Sequence, residues 1–191
     1  TTVVKLDLTD PTAGTVTMTA GGSSIASGAE VNKDVTVTLK NGSDTGSVQS
    51  GHYTTKYTVV RDGTTVSNNI TSSQTYSAEG NYTVTVTTYD QSGRYSTRSY
   101  TFMIDKTAPV CGTISGQSTT WINSTRNISV ACSDPNGVAK SGCTSSSFSG
   151  SWSSSTKTSS ITIKDQAGNT KVCGVNVYVD VDKPTCGTIS G

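Results

Sequence analysis

A run of six residues occurs twice in this chain: Cys-Gly-Thr-Ile-Ser-Gly at 111–116 and again at 186–191. The copies lie 75 positions apart, and Asp90-Gln91-Ser92-Gly93 returns at the same offset as Asp165-Gln166-Ala167-Gly168. Two landmarks with one period define a tandem array of similar modules. The boundaries they imply are 1–106, 107–182 and 183–191, the last being the start of a further repeat. The expectation is therefore a segment of a longer repeat protein. Small repeated domains supply length or many weak sites more readily than a single catalytic pocket.

Roughly a third of the residues are Ser or Thr, and Leu occurs only at positions 6, 8 and 39. Little is left for amphipathic helices. The apolar residues are mostly Val and Ile set singly among Thr, which is a β composition. Charged residues make up 14 % and the net charge is +1, a balance with no footprint for nucleic acid or an anionic membrane. No run approaches the roughly 20 apolar residues of a membrane-spanning helix. All five cysteines lie at or after Cys111, four of them within 107–182, and none has the close paired spacing of a zinc site. Such usage points to a disulfide framework and an oxidising, extracellular compartment.

Period-two alternation marks the strands. In the first module Val16 and Met18 share a face, as do Val35, Val37 and Leu39, then Tyr53, Thr55, Tyr57 and Val59. Asp62-Gly63 between alternating segments signals a hairpin. Tyr82, Val84 and Val86 follow, then the Asp90–Gly93 turn, then Tyr100, Phe102 and Ile104. In the second module Ile128, Val130 and Cys132 share a face, as do Ile161 and Ile163, with Cys173, Val175, Val177 and Val179 on the last strand. Between them, 144–160 is nearly pure Ser, Thr and Gly around Phe148 and Trp152, and reads as a flexible stretch. Short strands, regular turns and no helix predict two all-β sandwiches. The smaller module buries a smaller fraction of its surface and needs covalent help. Its four cysteines allow three pairings, and Cys132 with Cys173 across the sheets is one candidate, supported by both falling on inward-facing positions.

The run Tyr82–Gly93, the strand closing on Ile104-Asp105-Lys106-Thr107-Ala108-Pro109, Trp121-Ile122-Asn123 ahead of a strand, and Asp165-Gln166-Ala167-Gly168-Asn169 resemble the bacterial immunoglobulin-like repeats. These occur in large surface proteins of Gram-positive bacteria, gut Firmicutes in particular. The first module departs from the pattern at Arg94, where the family has Asn after the turn glycine. The resemblance implies two tandem immunoglobulin-like domains of an adhesin-like protein on the bacterial cell surface. It also favours Cys111–Cys173, leaving Cys132–Cys143, with Cys186 a free thiol whose partner belongs to the next module.

For chemistry the sequence offers little. His52 is the single histidine, no Gly-x-Ser-x-Gly elbow occurs, and Glu30 and Glu79 are the only glutamates. No catalytic residue and no cofactor is assigned, and the chain is read as non-enzymatic. Asp105, Asp180 and Asp182 at the module ends, with Asp134 in a loop, are the candidates weighed for calcium. No Asp-x-Asp-x-Asp-Gly loop is present, and no metal site is assigned. Two functions stand. The repeats form a structural stalk whose partners are neighbouring repeats. Alternatively they bind a host glycan, receptor or immunoglobulin, with Tyr53, Tyr57 and Trp152 as candidate anchors.

Overall fold

A computed structural model describes residues 6–46, 48–135 and 140–188. The described residues contain strands and no helix, and the chain divides into two compact units that meet in sequence between Lys106 and Thr107.

In the first unit, β1 (Thr15–Ala20), β2 (Ser23–Ile25), β4 (Val35–Lys40) and β7 (Gln74–Tyr76) form a sheet in the order β2-β1-β4-β7. The second sheet runs β3-β9-β8-β5-β6, from β3 (Ala29–Val31), β5 (His52–Arg61), β6 (Thr64–Ile70), β8 (Gly80–Asp90) and β9 (Tyr95–Ile104). All pairs are antiparallel except β3 with β9. Val16, Met18, Val35, Val37 and Tyr76 from one sheet share a core with Tyr57, Val59, Tyr82, Val84, Val86, Phe102 and Ile104 from the other. That two-layer arrangement is an immunoglobulin-like sandwich. Asp62 and Gly63 both take positive φ (48° and 81°) where β5 turns into β6, as a two-residue hairpin demands. Near the start of β8 the Tyr82 hydroxyl donates to Ala78 O at 2.6 Å, the corner tyrosine such sandwiches carry.

β8 shows why this sequence folds. Gly80, Tyr82, Val84, Val86, Thr88 and Asp90 are all buried, and none of the residues between them is. A slip of one residue would exchange the two sets, so burial fixes the register. Along the inward face the chemistry changes from apolar at Tyr82–Val86 to polar at Thr88 and Asp90. The first sandwich therefore has one greasy end and one polar end.

The second unit is a reduced version. β10 (Val110–Ser115), β11 (Arg126–Ser133) and β12 (Ser147–Trp152) form one sheet, and β13 (Thr156–Lys164) with β14 (Thr170–Val179) the other. Ile128, Val130, Ile161, Ile163, Cys173, Val175, Val177 and Val179 are its core. Ile122 bridges Val179 in parallel, and its N–H donates to Tyr178 O at 3.1 Å. Where the first unit has the β5–β6 hairpin, the described residues of the second have an isolated bridge between Cys143 and Asp165. The 144–160 stretch is not flexible as its composition suggested. Ser147–Trp152 pairs with β11, and Phe148 and Trp152 pack on the core. Phe148, Gly150 and Trp152 alternate on the half-buried face, and the serines between them face out.

Disulfides join Cys111 to Cys173 and Cys132 to Cys143. The first ties β10 to β14 across the two sheets. The second ties the end of β11 to the residue that bridges Asp165, in place of the strand this unit lacks. Cys132 and Cys173 are not paired: Cys132 lies opposite Cys111 in the β10–β11 register, and both long-range partners come from different sheets. Cys186 is exposed and free.

Closing a 62-residue separation is worth about 4 kcal/mol in the chain-entropy treatment, and 11 residues about 3 kcal/mol. Losses of that size match the whole stability of many small domains. Both tryptophans, Trp121 and Trp152, lie in the second unit, so their emission follows it alone. Under a strong reductant the tryptophan-detected unfolding midpoint should collapse, while the transition of the cysteine-free unit, followed by far-UV circular dichroism, keeps its midpoint. An unmoved tryptophan transition would contradict this assignment of stability.

Candidate functional site

The polar end of the first sandwich is built around the inward face of β8. Thr88 is fully buried, and its Oγ1 accepts from Gly14 N at 2.9 Å and lies 3.0 Å from Thr55 Oγ1. Thr55 Oγ1 accepts from Gly42 N at 3.1 Å and sits 2.8 Å from His52 Nε2. The lone histidine thus belongs to a chain of buried hydroxyls that ties the β1 and β4 ends to β5 and β8. Replacing Thr88 by Val keeps the shape but strands the Gly14 N–H and the Thr55 hydroxyl. Thr88→Val should destabilise the first unit by about 1–3 kcal/mol, read as a lower denaturant midpoint with an unchanged tryptophan-detected transition.

One step further out lie three aspartates from distant parts of the sequence. Asp7, Asp44 and Asp90 each place a carboxylate oxygen within 4.8 Å of the other two. Asp90 is 1 % exposed. Its Oδ1 accepts from Ser92 Oγ at 2.8 Å and Arg94 N at 2.9 Å, which shapes the turn between β8 and β9. Asp44 Oδ2 accepts from Gly51 N at 2.6 Å. Asp7 Oδ1 accepts from Thr9 N at 2.9 Å and Oδ2 from Ser50 N at 2.7 Å. These backbone donors, Thr9 first and Ser50 second, hold the Asp7 carboxyl below its ordinary value, with a smaller contribution from the Arg94 charge. Two oxygens, Asp90 Oδ2 and Asp44 Oδ1, are buried with no hydrogen-bond partner.

A carboxylate depressed in the folded state stabilises it above the unfolded-state pKa, and the gain is lost as pH falls through the folded value. Carbon-detected NMR titration should place Asp7 below the ordinary aspartate midpoint. Asp7→Asn should flatten the loss of first-unit stability below about pH 4. An Asp7 titrating at or above the ordinary midpoint would contradict the backbone-donor account.

The second unit repeats the turn with two substitutions, Ala167 for Ser92 and Asn169 for Arg94. Asp165 Oδ1 accepts from Gly168 N and Asn169 N, each at 2.7 Å, and its Oδ2 accepts from Asn169 Nδ2 at 2.8 Å. Asn169 Nδ2 also donates to Thr107 O at 3.1 Å. The correspondence extends to the preceding loop: Gly142 N donates to Asp134 Oδ2 at 2.8 Å as Gly51 N does to Asp44, and Gln166 N donates to Gly142 O as Gln91 N does to Gly51 O. At the position of Asn169 the first unit has Arg94, whose Nε turns away to Asp10 Oδ1 at 2.7 Å. The Arg94 departure, visible in the sequence, is what leaves Asp90 Oδ2 without a donor.

The residues singled out from sequence fare unevenly. Tyr53 is 70 % exposed. Tyr57 is 0 % exposed, with its hydroxyl donating to Ser72 O at 2.9 Å, and burial pushes its phenol pKa up. It is a core residue and not a surface anchor. Both tyrosines lie on β5, but the register shifts between His52 and Thr54, so the period-two face that joined them is broken. Trp152 is half-buried over Gly150, where a side chain would collide with the indole, so it is no exposed platform either. Trp121 is 52 % exposed with its ring 4.9 Å from that of Tyr178. Tyr95 is a further exposed aromatic that the sequence reading passed over, 5.7 Å from Tyr89. Asp180 and Asp182 both approach the Ser155 hydroxyl, at 3.3 and 2.6 Å. Asn136 and Gly137 of the Asp134 loop lie outside the described residues.

No protein-family model and no curated protein matches the chain. Among solved structures, the fibronectin(III)-like modules of Clostridium thermocellum CbhA are similar to it, with a TM-score of 0.40 and 12 % identity over 90 % of this chain and 100 % of that one. The sandwich assignment itself rests on the strand order and shared cores above.

Proposed function

We propose that these two domains are structural repeat units of an extracellular bacterial surface protein, acting as folded spacers and not as an enzyme. The observation that carries the reading is what the two units have in common. They share the aspartate-closed turn, the loop glycine hydrogen-bonded to a second aspartate, and the alternating strands around a Val/Ile core. Each of these holds a sandwich together. His52, the one residue with ready acid–base chemistry, is spent on Thr55 within the hydroxyl chain. Two disulfides in one unit fit an oxidising compartment, and the motif resemblance supplies the bacterial surface and the wider adhesin-like protein.

A second reading has one observation in its favour. Tyr53 and Tyr95 are large exposed aromatics on neighbouring parts of the five-stranded sheet, and Thr54 pairs with Tyr89 beside them. Exposed tyrosines are low-entropy anchors of the kind used by protein-binding loops. On that reading the first unit takes a host glycan, receptor or immunoglobulin. The spacer reading expects the purified 191-residue chain to show no saturable binding to glycan arrays, serum proteins or immunoglobulin at micromolar concentration. Binding that is abolished by Tyr53→Ala, with the fold intact by circular dichroism, would overturn it in favour of the second.

A further inference from the structure

From the Asp7–Asp44–Asp90 cluster we infer that the first sandwich carries a calcium site at its polar end. Three carboxylates converge within 4.8 Å; Asp44 and Asp90 are each held by protein donors on one oxygen only, while Asp7 accepts a backbone N–H on each oxygen. Asp90 is the decisive member. Its Oδ1 is occupied by the turn, its Oδ2 is buried without a donor, and the side chain is 1 % exposed. Asp44 repeats the arrangement, with Oδ2 on Gly51 N and Oδ1 buried without a donor. Buried anionic oxygens left unpaired are costly, and a fixed like-charged cluster raises that cost. A divalent cation removes both penalties at once.

The second unit supplies the contrast. There the same turn aspartate, Asp165, has its remaining oxygen bonded to the Asn169 amide. The first unit has Arg94 at that position, and the guanidinium pairs with Asp10 at the surface instead. In the first unit no such amide reaches Asp90 Oδ2, on a residue clustered with two other carboxylates. The donor set is all oxygen and drawn from three separate segments. Calcium suits such a set because it accepts six to eight oxygens in irregular geometry, whereas magnesium demands a near-ideal octahedron. The exposed pair Asp180 and Asp182, by comparison, already closes on Ser155 and on the Asp182 N–H.

The test is calorimetric titration of the full 191-residue chain with calcium chloride, after treatment with a chelator. Saturable binding with a Kd of about 0.1–1 mM is expected, the range of extracellular modules. Asp44→Asn removes one carboxylate and should weaken binding at least about tenfold. Arg94→Asn copies the second unit's turn, keeps all three carboxylates, and should weaken binding by a similar factor by giving Asp90 Oδ2 an amide donor. Circular dichroism establishes that each variant is folded, and should Asp44→Asn fail to fold, Arg94→Asn decides. Absence of saturable binding at about ten times the upper Kd, or an affinity unchanged in the deciding variant, overturns the assignment.

Discussion

Each sandwich depends on one buried carboxylate at the end of an inward-facing strand register. Asp90 and Asp165 are the last inward positions of β8 and the first beyond β13, and both are essentially inaccessible to water. Each fixes the turn to the final strand by accepting backbone N–H groups from residues four positions on. Each unit's last strand is also the one that reaches back to its early segments: β9 pairs with β3 in one, and β14 carries the Cys111 disulfide in the other.

Beyond that shared turn the two units solve the same shortage differently. Val, Ile and Thr offer little apolar surface per residue, and sandwiches of this size bury only part of what they have. The first unit adds area: five strands in its larger sheet, a tyrosine trio of Tyr57, Tyr76 and Tyr82, and Phe102 stacked on Tyr82 at 4.6 Å. The second unit, without the β5–β6 hairpin among its described residues, places covalent bonds where strand pairing is missing. Cys143, its single bridging residue on that side, is itself anchored to Cys132. Cysteine content and strand count are thus two answers to one deficit.

Much of the fold was legible because period-two alternation is a direct consequence of one-sided burial. Gly80–Asp90 follows it over its whole length, and the last strand follows it from Val172 to Val179. The short strands β2, β3 and β7 were not legible, since three residues carry no period and owe their pairing to neighbours. β12 was missed for a compositional reason: Ser occupies its outward positions, and the inward ones are Phe148, Trp152 and a glycine that carries no apolar signal. For the site residues, the failure at Tyr57 came from extending one face through the irregularity between His52 and Thr54, which takes the exposed Tyr53 off the buried face that Thr55, Tyr57 and Val59 share. The acidic cluster was illegible for another reason. Asp7, Asp44 and Asp90 are separated by dozens of residues, and only the sandwich topology brings their strand ends together.

One sequence signal for that cluster did exist, in the single departure of Arg94 from the family pattern. Taken alone, an Asn-to-Arg exchange after a turn glycine reads as surface variation. Its consequence depends on a partner that only the structure identifies. An asparagine amide is short and satisfies the neighbouring carboxylate from within the turn, as Asn169 does. An arginine is too long for that geometry, and its fork finds the exposed Asp10 instead. The buried Oδ2 of Asp90 is then left without a hydrogen-bond donor beside two other aspartates. A positive residue in the sequence has thus left an acidic cluster unneutralised behind it. Net charge along the chain, or even charge at the turn, would have suggested the opposite.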